Sequence, residues 1–362
     1  MSLTPREDAP EVRSAIDRVL TRGWFVLGPE LEAFEAEFAA ASGGGHAVGV
    51  GNGTDAIALT LRALGIGPGD EVITTPLSAA FSALAILMAG ATPVFVDIDP
   101  DRLTIDPAAV EAAITPRTAA ILPVHLYGQP ADLARLGAIA ARHDLVLVED
   151  ACQAHLATCE GRPVGTIGAA GAFSFYPTKN LGALGDAGAV LTRDASLADR
   201  LRRLRNGGQT DRYHHPEFGV NSRLDEMQAA VLRVRLQRLP AWTARRRELA
   251  RRYRAQLADA ALAVPSEHDP GHVYHLFPVR AAARDAFIAH LASQGIGSLI
   301  HYPIPIPRQQ AFASAPATCP VADRVCHEIC SLPLHPHLSN DDADRVVAAA
   351  LAWRPSEARI AD

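Results

Sequence analysis

Lysine is almost missing from this sequence: of 34 basic residues in a chain of 362, 33 are arginine and one, Lys179, is lysine. Arginine's guanidinium stays protonated in proteins, whereas a lysine amine can lose its proton when buried or paired and then attack a carbonyl. Arginine serves a salt bridge or a phosphate clamp, but it cannot form a Schiff base. Lys179 is therefore the candidate nucleophile, against the plainer reading that an arginine-rich chain left one lysine on a solvated face.

Other shortages exclude whole classes. The five cysteines, Cys152, Cys159, Cys319, Cys326 and Cys330, form no Cys-x-x-Cys pair. Cys326, His327 and Cys330 lack a second ligand pair, so no metal site is expected. An odd cysteine count fits reduced thiols in the cytoplasm. No uninterrupted run of about 20 apolar residues is present, which excludes a helical membrane span. The longest weakly polar stretch, Ala79 to Val96, is interrupted by Gly90 and Pro93 and reads as a helix followed by a buried strand. The opening MSLTPREDAPEVRS carries charges and a proline where an export signal needs an apolar run, so no export is expected. A net charge of −6 without a basic patch leaves no electrostatic footprint for nucleic acid.

What is there alternates. Residues 11 to 41 read as two helices broken by GWFVLGPE, the second with Leu31, Phe34 and Phe38 on one face. An apolar strand at Ala47 to Val50 then meets a glycine-rich turn and a helix from about Ala56 to Leu64. That order of elements gathers backbone N–H groups and the positive end of a helix dipole at Gly53, Thr54 and Asp55, a phosphate cradle. It matches neither the P-loop nor the dinucleotide fingerprint. EVIT, a helix over 79–89, PVFVD, a helix near 107–114, AAILPV, a helix over 132–143 and LVLVE follow. Strands without polar alternation, separated by helices, predict a mostly parallel sheet covered on both faces. Ligands of such sheets sit beyond the carboxyl ends of the strands, where Asp150 falls. DIDPD, Asp97 to Asp101, reads as a turn rather than a metal site.

After the lysine come the strand GAVLT, a basic helix in LADRLRRLRNGGQ, and an amphipathic helix with Leu224, Met227, Val231 and Val234 inward. Pro240 is expected to break that helix, which puts a boundary between a large domain, 1–240, and a smaller α+β domain, 241–362. The small part includes a helix over 284–294.

A phosphate turn, a carboxylate at a strand end and a lysine about thirty residues later are the three things pyridoxal 5'-phosphate requires. Its phosphate is held at a helix N-terminus, its pyridine nitrogen by a carboxylate and its aldehyde by an amine.

GNGTDA, PVFVDIDP, PVHLYGQPADL, VEDACQAH, AFSFYPTKNLGALGDAGAV, LRNGGQ, YHH, NSRLDEMQAAVLRVRLQRL and HYPIP, in this order, resemble the DegT/DnrJ/EryC1/StrS family of sugar aminotransferases. GNGTDA and HLYGQPAD are most similar to members that aminate carbon 3 of a nucleotide-linked 3-keto-6-deoxy sugar; amination of a 4-keto sugar or a keto-cyclitol is the alternative. The resemblance implies an α/β fold of the aspartate aminotransferase type, fold type I, with L-glutamate as the leading amino donor. It implies that Lys179 forms the Schiff base, Asp150 holds the pyridine nitrogen and Gln153 bonds the cofactor's phenolic oxygen. Ser174, Gly53 and Thr54 would bind the phosphate, and Asn221 would reach it from a partner subunit, making a homodimer. His301, Tyr302 and Arg223 would face the sugar nucleotide. Relatives that carry histidine in place of the lysine are dehydratases; Lys179 points to transamination.

Two departures stand out. PLSAAFSAL puts Ala79 or Ala80 where an aromatic ring often stacks on the cofactor, with Phe81 next to them. The family's Asn-Tyr-Arg is here Asn221, Ser222 and Arg223.

Overall fold

The computed structural model describes residues 7–354. The chain runs through α1 (Ala9–Arg22), α2 (Pro29–Ala41), β1 (His46–Val50), α3 (Gly53–Ala63), β2 (Glu71–Thr74), α4 (Phe81–Ala89) and β3 (Thr92–Phe95). Next come α5 (Pro107–Ala112), β4 (Thr118–Leu122), α6 (Leu133–Arg142), β5 (Val146–Asp150), the short hairpin β6 (Thr158–Cys159) and β7 (Arg162–Pro163), β8 (Ala170–Ser174), β9 (Gly188–Thr192) and α7 (Ala195–Leu204). The last part holds α8 (Glu226–Gln256), β10 (Phe277–Arg280), α9 (Arg284–Ser293), α10 (Pro320–Glu328), β11 (Ile329–Leu332) and α11 (Asn340–Ala352).

Seven strands form one sheet in the order β1-β9-β8-β5-β4-β2-β3. The pairs from β3 to β8 are parallel; β9 is antiparallel to both β8 and β1. Two antiparallel steps restore direction, so β1, β8 and β5 all end at the same edge of the sheet. Both faces are buried, as unbroken apolar strands require. Leu31, Phe34, Phe38, Leu136 and Leu232 cover one face, bringing α2, α6 and α8 onto it. Ile57, Leu61, Ile86 and Leu201 cover the other through α3, α4 and α7.

Proline at its first position starts α2, and its orphan N–H groups find a partner far along the chain. The buried Glu226 carboxylate accepts from the N–H groups of Gly28, Glu30 and Leu31 at 2.9–3.0 Å. The Asp97 carboxylate of DIDPD accepts from the N–H groups of Val321 and Ala322 at the start of α10. Among the described residues no three or more His, Cys, Asp and Glu side chains are grouped so as to hold a metal ion, and no helix is long and apolar enough to cross a membrane.

The break expected at Pro240 does not occur: α8 runs for 31 residues straight through it. Proline removes one intrahelical hydrogen bond, and packing on both sides outweighs the loss. Leu232, Leu236 and Leu239 lie in the core of the large sheet, whereas Leu249, Ala250 and Tyr253 pack with β10, β11, α9 and α11. Between them the buried Arg246 donates to the carbonyls of Tyr274, His275 and Leu334. Of the four residues expected to face inward, Leu224 and Val231 are buried, while Met227 and Val234 are half-buried against α1.

Candidate active site

The site forms where β1, β8 and β5 end together. Val50 and Ser174 both pair with Gly188 of β9, which lies between them. A Cβ on Gly188 would come within 2.4 Å of the Asn52 backbone. Glycine at 188 therefore lets the GNGT turn close down on Ser174. Strand alternation does the rest: Phe173 and Phe175 point into the core against Phe38 and Phe34, leaving Ser174 on the other side.

α3 begins at Gly53, with Asn52 as its cap; the Asn52 Oδ1 accepts from the Asp55 N–H at 2.9 Å. The N–H groups of Gly53 and Thr54 are orphan donors by position. Asp55, expected within the cradle, turns its carboxylate away, to the Ser222 hydroxyl at 2.6 Å and the Asn52 amide at 3.2 Å. Ser222 also accepts from the Gly51 N–H at 2.9 Å, so this serine braces the turn. A Cβ added to Gly53 would lie 2.8 Å from the Cys152 Sγ and 2.8 Å from the Ser174 Cβ.

Asp150 closes β5 and is buried. Its Oδ2 accepts from the Ser82 hydroxyl at 2.6 Å and its Oδ1 from the Cys152 N–H at 3.1 Å. Gln153 is buried one turn on, its Oε1 taking the Tyr127 N–H at 2.7 Å and its Nε2 donating to the Tyr302 hydroxyl at 3.1 Å. The His301 ring nitrogen Nδ1 lies 3.0 Å from the Ser331 hydroxyl. Thus Gly53, Ser174, Asp150, Gln153 and the His301–Tyr302 pair join through a continuous set of contacts.

Lys179 sits half-buried in the loop from β8 to β9, its N–H donating to the Tyr176 carbonyl at 2.8 Å. Burial pulls its ammonium below the usual lysine range, and the neighbouring Cys152 and Asp150 pull back. Burial, with the charge of Asp150 beside it, pushes the Cys152 thiol well up. Amine and thiol are thus both held toward their neutral forms. Burial and the proximity of Lys179 lower His155 to about 3, and the same two causes depress His301. Burial raises the Tyr302 phenol to about 12.

Asn221 is exposed and Arg223 donates to the Asn206 side chain at 3.1 Å; among the described residues neither hydrogen-bonds a member of this cluster. Ala79 and Ala80 are half-buried, and Phe81, first residue of α4, is 63% exposed. Three neighbours of the cluster did not emerge from the sequence reading as site residues. They are Ser82 on Asp150, Cys152 beneath Gly53 and Tyr127 against Gln153.

The residues present fit pyridoxal phosphate: a helix start narrowed to glycine beside a serine, a buried carboxylate held from two sides, and an amine whose pKa burial lowers. The sequence profile described as the DegT/DnrJ/EryC1/StrS aminotransferase family matches residues 6–351. The chain belongs to that family. The dTDP-3-amino-3,4,6-trideoxy-alpha-D-glucose transaminase of Streptomyces venezuelae is 51% identical to it over 348 residues, 95% of this chain and 92% of the relative. The erythromycin biosynthesis sensory transduction protein EryC1 of Saccharopolyspora erythraea is also 51% identical, over 94% of this chain and 96% of that protein. The crystal structure of S. venezuelae DesV in complex with a ketimine intermediate superposes with a TM-score of 0.93 at 50% identity, covering 96% of this chain and 95% of that one. The family and this likeness account for the mostly parallel seven-stranded sheet as the large part of a sugar aminotransferase fold.

Proposed function

We propose that this aminotransferase moves an amino group from an amino acid, L-glutamate first among candidates, to carbon 3 of a dTDP- or UDP-linked 3-keto-6-deoxy sugar. The observation that carries the chemistry is the convergence of Gly53, Ser174, Asp150 and Lys179 at one edge of the sheet. The carbon-3 preference rests on GNGTDA and HLYGQPAD and on the likeness to a relative named for a 3-amino sugar.

Pyridoxal phosphate, when bound, supplies an electron sink next to the carbon that loses its proton. Gly53, Thr54 and Ser174 would hold its phosphate, Asp150 its pyridine nitrogen, Gln153 its phenolic oxygen and Lys179 its aldehyde. Lys179 would do the proton work: its amine would carry a proton from the donor's Cα to the cofactor in the first half, and from the cofactor to carbon 3 of the sugar in the second. Burial lowers the pKa of that amine, which raises its neutral share at any given pH relative to an ordinary lysine. His301, Tyr302 and Arg223 face the sugar nucleotide, and Asn221, exposed in one chain, reaches the phosphate of a partner in a cytoplasmic homodimer. In this reading residues 1–240 and 241–362 act as a large and a small domain that share α8.

A regulatory reading follows from the name of the EryC1 relative. It predicts that the lysine or the carboxylate is dispensable, and here both are present with neighbours in place. The deciding experiment loads the protein with pyridoxamine phosphate. It then asks which of a panel of 3-keto and 4-keto sugar nucleotides and keto-cyclitols restores the aldehyde absorbance. Restoration by a 3-keto-6-deoxy sugar nucleotide, abolished in Lys179→Arg, is expected. A Lys179→Arg protein that still aminated any of them would end this account.

A further inference from the structure

Tyr127 joins two parts of the site that the chain delivers separately. It stands after β4 in a left-handed backbone conformation, φ 59° and ψ 6°, uncommon for a bulky side chain and retained only where the surroundings require it. Three groups of this one buried residue are engaged. Its N–H donates to the Gln153 Oε1 at 2.7 Å. Its phenol donates to the His301 carbonyl. Its carbonyl accepts from the His275 N–H at 2.8 Å. Gly128 beside it, at φ 92°, has no room for a side chain: a Cβ would meet Val273 at 2.8 Å and the Gln153 carbonyl at 3.1 Å. The Tyr-Gly step is wedged between the turn after β5 and residues 273–276.

The consequence for Gln153 is a fixed amide. A backbone N–H is only a donor, so the Gln153 atom facing it must be oxygen, and Nε2 is left to donate on the other side. That side is where Tyr302 lies, 3.1 Å away. Tyr127 therefore sets which end of Gln153 the site sees, and its phenol holds the neighbouring His301 backbone. Its own ionisation does not intervene, because burial pushes the phenol well above the usual tyrosine range.

We propose that Tyr127 is a positioning residue for the keto-sugar half of the reaction. It aligns the His301–Tyr302 segment with Gln153, so that the sugar-facing residues of the C-terminal part sit in register with the cofactor-facing residues of the large sheet. This deepens the reading above and rests on its assignment of His301 and Tyr302 to the sugar.

The test is Tyr127→Phe, which keeps the ring and the backbone N–H and removes only the phenolic donor. On the cofactor-free protein, amide hydrogen exchange is expected to speed up in peptides covering residues 299–304 and to stay unchanged in peptides from β5 and β8. In the loaded enzyme, single-turnover rates with L-glutamate and with a dTDP-linked 3-keto-6-deoxy sugar are compared. The sugar half-reaction should lose about five- to tenfold more in rate over KM than the donor half-reaction, the scale of one neutral hydrogen bond. Tyr127→Leu, which also removes the ring, should lose both halves together. Unchanged exchange at 299–304, or equal losses in the two half-reactions of Tyr127→Phe, would overturn the proposal. Should the sugar assignment itself be wrong, the keto sugar would fail with the unmodified enzyme while the exchange result stood.

Discussion

The Ser82 hydroxyl donates a 2.6 Å hydrogen bond to the Asp150 carboxylate, from the first turn of α4 to the last residue of β5. A hydrogen bond to a charged group in a buried site contributes about 1.5–3 kcal/mol. Ser82→Ala should accordingly lower kcat/KM by roughly tenfold to a hundredfold. Asp150→Asn, which removes the charge itself, should fold and lose at least about a hundredfold in kcat, as expected when a preorganised electrostatic partner is deleted. Steady-state kinetics of both variants, with circular dichroism as the folding control, ranks them. Near-normal turnover of Asp150→Asn would mean that the pyridine nitrogen is held by another group.

Gly53→Ala places a methyl 2.8 Å from both the Cys152 sulfur and the Ser174 Cβ. Overpacking of that kind costs about 1–3 kcal/mol. It falls where the phosphate would bind, so affinity for pyridoxal phosphate is expected to drop by tenfold or more, read by absorbance titration. Adding Cys152→Ala removes one of the two clashes and should recover part of the affinity. An unchanged Kd for Gly53→Ala would remove the cradle from the account.

The lone lysine gives a titration with one side-chain amine to follow. Burial lowers the Lys179 pKa, so more of its amine is neutral at any given pH than in an ordinary lysine. Reductive methylation of the cofactor-free protein, followed by peptide mass spectrometry, should therefore reach half its limiting rate below pH 10.5. Labelling that follows a solvent-exposed lysine would contradict the burial argument.

His155 and His272 are buried and held at about 3, in each case chiefly by burial. Unfolding returns both to about 6.5, so between those values the unfolded chain binds more protons than the folded one. Their contribution is complete above pH 6.5 and is lost as pH falls toward 3, at roughly 1.4 kcal/mol per pH unit for each histidine. Urea midpoints measured from pH 7 to pH 4.5 should fall steadily; a flat profile would show that these rings are protonated in the folded state.

The sheet was legible because EVIT and LVLVE lack polar alternation, which only burial on both faces explains. The cradle was legible as far as a strand, a glycine turn and a helix start can be read locally. What escaped depends on distance along the chain. Ser82 and Asp150 are 68 residues apart, and Tyr127 and His301 are 174 apart, so no local pattern could pair them. Pro240 points the opposite way: its local signal is strong, yet the apolar side chains before and after it belong to two packed cores that keep α8 continuous across it. Asp55 read as part of the cradle because it follows Gly53 and Thr54, but a helix turns each successive residue by about 100°, and Ser222 was waiting on that side.

A chain with one lysine also has one place where a lysine-specific endoprotease can cut. That bond follows Lys179 and joins it to the buried Asn180, whose side chain donates to the Val273 carbonyl. Cleavage therefore needs the loop from β8 to β9 to leave its seat, and the products are two fragments, 1–179 and 180–362, of nearly equal size. The residue assigned to the chemistry thus serves as a built-in reporter of opening at the site: protection from that protease measures how firmly the loop is held, and any ligand that ties down Lys179 should lengthen the chain's survival.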